Sequence, residues 1–151
     1  MTVGRICRRD VDLVEADATA RVAGQRMAAR NVGSLLVVDG RRRVLGVVTD
    51  RDLALRVVAP GCDPHLTRVS DVMTQHPDTV SEETSIEDAL AVMRARGVRR
   101  LPVLGAGGAL AGVVSVDDIL VLLAQEFGEL SRLIEHSSPQ LMAHCQPWSD
   151  G

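Results

Sequence analysis

The chain has 151 residues, a net charge of −3 and almost no aromatic side chains: one Phe, one Trp and no Tyr. Single-stranded nucleic acid is bound on aromatic stacking faces and duplex DNA on basic surfaces, so neither is an expected partner. Apolar residues make up 46% of the chain, enough for a sizeable core, but no apolar run approaches the roughly 20 residues that cross a bilayer.

The chain reads as a repeat with a fixed spacing of 66 residues. The first copy opens with Val3-Gly4-Arg5-Ile6-Cys7, over Val69-Ser70-Asp71-Val72-Met73 in the second. A short extended piece follows at Leu13-Val14, matched by Thr79-Val80. Thr19 and Ser85 are the expected N-caps of the next helix, because a side-chain oxygen there accepts from an otherwise unpaired N–H. In the second copy Ile86, Ala89, Leu90 and Met93 share one helical face; the weaker first copy has Val22, Ala23 and Met27. Asn31 and Gly97 tolerate the left-handed conformation that ends a helix.

Two strands are expected next in each copy, 34–39 with 44–49 and 100–104 with 110–115, joined by hairpin turns at 40–43 and 105–108. A second helix closes each copy, over 51–58 and from 117 to about 135. Two prolines and a glycine mark 59–65 as the linker. The expected organisation is a first repeat with linker at 1–66, a second repeat at 67–135 and a tail at 136–151, with about the last ten residues loosely held. The fold class is α/β (α+β), two pseudo-symmetric β-α-β-β-α repeats.

The most informative stretch is Gly46-Val47-Val48-Thr49-Asp50-Arg51-Asp52, which recurs as Gly112-Val113-Val114-Ser115-Val116-Asp117-Asp118. Each copy places a hydroxyl where a strand ends and an acid three residues later, in the first turn of a helix. Such a mouth offers backbone N–H groups to an anion, a hydroxyl to a phosphate oxygen and a carboxylate to ribose hydroxyls. The same acids would also serve simply to interact with the helix dipole.

Cys7, Cys62 and Cys145 are odd in number and lack CxxC spacing, and Met1-Thr2-Val3-Gly4-Arg5 has no apolar leader core. A cytoplasmic chain with reduced thiols is expected. His65, His76, His136 and His144 share no ligand spacing, so no metal is expected. No nucleophile–base pair or split carboxylate pair is apparent, and no catalytic residue is expected.

The two Gly-h-h-[Thr/Ser]-x-x-Asp motifs, the two Val-x-x-Leu-x-Val strands at Val32 and Val98, and Asp71-Val72-Met73-Thr74 together make the chain resemble a stand-alone pair of cystathionine β-synthase (CBS) domains, a Bateman module. The resemblance covers about residues 3 to 130. It implies two repeats whose sheets pack together, and two clefts that hold adenosine-containing ligands: AMP, ADP, ATP, S-adenosylmethionine or NAD. It also implies a homodimer.

Carried over by position, Asp52 and Asp118 would hold ribose hydroxyls, and Thr49 and Ser115 phosphate or hydroxyl groups. Leu13, Val14, Thr79 and Val80 would meet adenine, largely through backbone. Arg99 and Arg100 would contact phosphate, where the first repeat has the uncharged Gly33 and Ser34, so lopsided phosphate binding is expected. The resulting expectation is a non-catalytic regulatory module with no required cofactor, whose output passes to a separate effector protein. The rival reading is a protein-interaction module that dimerises through Leu53, Val57, Ile119, Leu122 and Leu123 with empty or degenerate clefts. A small enzyme acting on a bound nucleotide is the third.

Overall fold

A computed structural model describes residues 1–142, with side chains as far as 137. The chain divides into two compact units, Met1–Val116 and Asp117–Gly151. The expectation for a loose tail over the last residues falls largely on 143–151, outside the described residues.

Within the first unit the first repeat runs from a 3₁₀ turn, Val3–Arg5, through β1 (Leu13–Glu15), α1 (Ala20–Arg30), β2 (Ser34–Val38) and β3 (Val44–Thr49). It ends in α2 (Asp50–Leu53), continued by wider π turns over Ala54–Val58. The second repeat has α3 (Val69–Val72), β4 (Thr74–Gln75), β5 (Val80–Ser81), α4 (Ile86–Arg96), β6 (Arg100–Leu104) and β7 (Leu110–Ser115). Helix α5 (Val116–Met142) follows, passing beyond the expected end near residue 135, and from Asp117 it belongs to the second unit.

Local chemistry explains the helix limits. Thr19 Oγ1 accepts from Val22 N–H at 3.3 Å, and Ser85 Oγ from Asp88 N–H at 3.0 Å. Asn31 (φ 52°) and Gly97 (φ 66°) turn the chain left-handed at the ends of α1 and α4. Ala23 and Met27, and in the second repeat Ala89 and Met93, bury the faces that the periodicity marks.

The repeats agree residue for residue. β1 pairs parallel with β2 (Val14 opposite Val37) and β5 with β6 (Val80 opposite Val103). β2 pairs antiparallel with β3 and β6 with β7, with Ser34 opposite Thr49 and Arg100 opposite Ser115. Each ladder carries one register shift at the same place, Val37/Val38 and Val103/Leu104.

The repeats also exchange backbone. β4, from the second repeat, adds a fourth strand to the first repeat's sheet, pairing Thr74 with Val47. Reciprocally, Arg8 pairs with Val113 beside β7. Val3 N–H donates to Thr84 O (2.9 Å), and its counterpart Val69 N–H donates to Ala18 O (2.8 Å). This exchange gives the motif glycines a reason. A Cβ on Gly46 would lie 2.7 Å from Thr74 O, and one on Gly112 would lie 2.5 Å from Arg8 O. Only a residue without a side chain lets the crossing segment reach ladder distance.

Two apolar clusters result. Val14, Ala23, Met27, Leu35, Val37 and Val48 gather under α1, with Val57 and Val69 closing the cluster. On the opposite faces, Leu36 and Val38 of β2 meet Leu110 of β7, so the two sheets pack against each other. Leu110 N–H donates to Arg42 O at 2.8 Å across the same junction.

Candidate functional site

The end of β3 is closed upon itself. Thr49 Oγ1 accepts from Asp52 N–H (3.1 Å) while Asp52 Oδ2 accepts from Thr49 N–H (2.9 Å), a reciprocal capping box. Arg51 N–H donates to Asp50 Oδ1 (2.8 Å), and Asp50 N–H donates to Gly33 O (2.9 Å). The N–H groups of residues 50, 51 and 52 are therefore engaged within the chain. The sequence expectation of free N–H groups for an anion does not hold at this mouth, because its own hydroxyl and carboxylates cap them. Asp52 Oδ1 stands 3.9 Å from Arg56 Nε, and Arg56 itself donates to Val72 O at 2.9 Å.

The charge at this end of the two repeats differs. A carboxylate oxygen of Asp50 comes within 3.1 Å of where a Gly33 Cβ would stand. In the second repeat Arg99, Arg100, Val116 and Asp117 stand at the positions of Gly33, Ser34, Asp50 and Arg51. Both arginines are exposed, and Arg99 O accepts from Val116 N–H at 2.9 Å, the counterpart of the Gly33–Asp50 bond. Arg100 opens β6 opposite Ser115, which is 7% exposed at the end of β7. Asp118 follows in the first turn of α5, partly buried.

The residues expected at adenine divide by depth. Val14 and Val80 are buried with core positions, which leaves only their backbone to a ligand. Thr79 is exposed and precedes β5. Leu13 is partly buried and lines an open depression of about 380 Å³ with Val11, Leu35 and Arg26. β1 and β5 are edge strands, so each keeps one row of backbone groups outside its ladder. One of these, Leu13 O, accepts from Arg26 Nη1 at 2.9 Å.

A second depression, of about 710 Å³, adjoins the first; Arg8, Arg9, Ala29 and Val32 line it. Asp10, Asp12 and Arg30 line both. Arg30 Nε donates to Asp12 Oδ1 (2.7 Å) and Arg30 Nη2 to Asp10 Oδ2 (2.9 Å). These carboxylates, Asp10 foremost, push the Arg30 pKa further up. None of the three was singled out from the sequence, although a signal was present: Arg30 and Asp12 recur as Arg96 and Asp78. The second repeat forms the same pair, more loosely, with Arg96 Nε 3.3 Å from Asp78 Oδ2.

The expected dimer surface needs correction. Val57 and Ile119 are buried within the chain and cannot face a partner. Leu123, also expected there, is exposed, and so are Leu120, Phe127, Leu130 and Ile134 of α5, among others. Among the described residues no three His, Cys, Asp or Glu side chains converge as a metal site, and no helix is long and apolar enough to cross a membrane.

Comparison with known proteins follows the repeat. The CBS domain model matches residues 3–59 and again 69–125. An uncharacterized protein of Methanopyrus kandleri is 34% identical over 120 residues, covering 80% of this chain and 61% of its own length. A CBS domain-containing protein of Dictyostelium discoideum is 32% identical, covering 80% of this chain and 90% of its own length. The chain thus spans about three fifths of the Methanopyrus relative. Among solved structures, CBSX2 in complex with AMP is 28% identical, covering 82% of this chain and 96% of that one, at a TM-score of 0.69. Hypoxic Response Protein I, which holds two coordinated zinc ions, is 30% identical at a TM-score of 0.72, covering 80% of this chain and 97% of that one.

Proposed function

This chain belongs to the CBS-domain family, as a CBS pair, and from that premise we propose that it is a regulatory module that binds an adenosine-containing ligand and performs no chemistry on it. The observation that carries the reading is a charge difference between otherwise matching repeats. Arg99 and Arg100 stand where the first repeat has Gly33 and Ser34, while each helix mouth carries two acids, Asp50 and Asp52 in the first and Asp117 and Asp118 in the second. Phosphate oxygens gain from guanidinium forks, so the second repeat takes the phosphate-bearing ligand. The likeness to the AMP-bound structure supports an adenine nucleotide.

In this reading Asp52 and Asp118 hold ribose hydroxyls, and Thr49 and Ser115 contribute hydroxyls. Leu13, Val14, Thr79 and Val80 present backbone to adenine. The ligand acts by its different affinity for two arrangements of the module, and an effector protein reads the result. Thermal unfolding with AMP, ATP, S-adenosylmethionine and NADH tests this. Ligand at about a hundred times its dissociation constant adds roughly 2.7 kcal/mol. No stabilisation by any of the four at millimolar concentration sinks the reading. Turnover of the bound nucleotide would move the assignment to an enzyme.

A homodimer is the second part of the proposal, and it has its own observation. Leu120, Leu123, Phe127, Leu130 and Ile134 are exposed and recur at alternating steps of three and four, the seam of a helix that packs on a second helix. Sedimentation of the wild type as a dimer and of Phe127→Glu as a monomer is the expected result.

A further inference from the structure

We propose that Arg30, pinned by Asp10 and Asp12, gates the first repeat's base pocket and so decides that the second repeat loads first. The proposal rests on the adenosyl-binding reading above and adds the residues that set the order of loading. The trio of Arg30, Asp10 and Asp12 is the common wall of two depressions, about 710 and about 380 Å³. The smaller has an apolar floor of Val11, Leu13 and Leu35, the surface that suits a flat base. The larger is lined by Arg8 and Arg9 together with Ala29 and Val32. A ligand that spans both depressions has to displace the Arg30 side chain, which lines each of them.

Two carboxylates resist that displacement. Arg30 donates to both at once, at 2.7 and 2.9 Å. A guanidinium held by two acceptors loses both bonds when it swings away. In the second repeat the corresponding Arg96 has Asp78 at 3.3 Å, and the position of Asp10 is taken by His76. His76 adopts φ 50°, and its N–H donates to Leu45 O (3.2 Å), so its backbone belongs to the strand exchange. The second latch is therefore lighter by one carboxylate. The pairs are solvent-exposed, and exposed pairs are weak. The gate accordingly shifts affinity by a modest factor and does not abolish binding.

The test uses adenosine, which carries no phosphate, so that a change at Arg30 reports on access to the pocket and not on charge. Amide spectra of the full chain are titrated and read at Leu13–Glu15 for the first cleft and at Val80–Ser81 for the second. In the wild type the second-repeat amides respond at lower adenosine concentration. Arg30→Ala lowers the midpoint at Leu13–Glu15 by about threefold to tenfold, the range set by two exposed ion pairs. The midpoint at Val80–Ser81 does not move. Asp10→Asn, which leaves Arg30 with one carboxylate, shifts Leu13–Glu15 in the same direction by less.

If Arg30→Ala leaves the Leu13–Glu15 midpoint unchanged or raises it while Val80–Ser81 still responds, the gate is wrong and the adenosyl reading stands. A raised midpoint would make Arg30 a ligand contact. If adenosine and AMP move neither set of amides in any variant, the adenosyl reading fails and the gate fails with it.

Discussion

Replacing Gly112 by alanine tests the reciprocal strand exchange that joins the two repeats. The new methyl would stand 2.5 Å from Arg8 O and 3.0 Å from Cys7 Sγ. The nearest atom is backbone, so rotation of a side chain cannot relieve the contact. The crossing segment must retreat, which endangers two bonds: Arg8 N–H to Val113 O (2.8 Å) and Val113 N–H to Arg8 O (2.9 Å). Each is worth about 0.5–1.5 kcal/mol net. With overpacking at about 1–3 kcal/mol, and partial relaxation sharing the two costs, the expected loss is roughly 2–4 kcal/mol. Domain stabilities are about 5–15 kcal/mol, so the variant still folds. In urea, with a slope near 2 kcal/mol/M, the midpoint falls by about 1–2 M. Gly40→Ala is the control, because a Cβ there meets nothing within 4 Å. If Gly112→Ala costs no more than Gly40→Ala, the explanation of the motif glycine by strand exchange is wrong.

Further predictions follow from single sites. Thr49→Ala removes the acceptor of the capping box and costs about 1 kcal/mol of stability, and Asp52→Ala costs a similar amount, whereas Asp118→Ala abolishes the nucleotide-induced shift in unfolding temperature. An intact ligand shift in Asp118→Ala would remove Asp118 from the site. Arg42 sits at φ 59°, where its counterpart is Gly108 at φ 77°. Arg42→Gly relieves the left-handed penalty and should stabilise by up to about 1 kcal/mol, read as a higher urea midpoint. Asp39 accepts from the N–H groups of Arg43 and Arg41, and Glu15 from its own N–H and from Arg26; these bonds hold both carboxyls below their usual range. A depressed folded-state pKa contributes stability that is present above the unfolded value and lost as pH falls through the folded one. Unfolding temperature should therefore fall on the acid side, below about pH 5, and Asp39→Asn should flatten that slope.

The sequence alone determined the duplication and most of the local structure. Thr19, Ser85, Asn31 and Gly97 act through bonds within a few residues of themselves, and that is why their roles are legible in one dimension. The apolar spacing of Ala89 and Met93 is legible for the same reason, since a helix repeats every few residues. What needed the tertiary structure were contacts made across the repeat. The motif glycines read as part of a nucleotide signature, yet their immediate physical reason is a strand arriving from the other half of the chain. Asp52 reads as available to a ligand, and folding turns its carboxylate on the Thr49 N–H at the start of its own helix turn. Arg30 and Asp12 lie 18 positions apart and carry no local signature. Only the parallel pairing of β1 beside β2, with α1 crossing between them, brings that guanidinium to that carboxylate. Local bonds follow the chain, whereas the walls of a cleft are set by segments that the chain itself keeps apart.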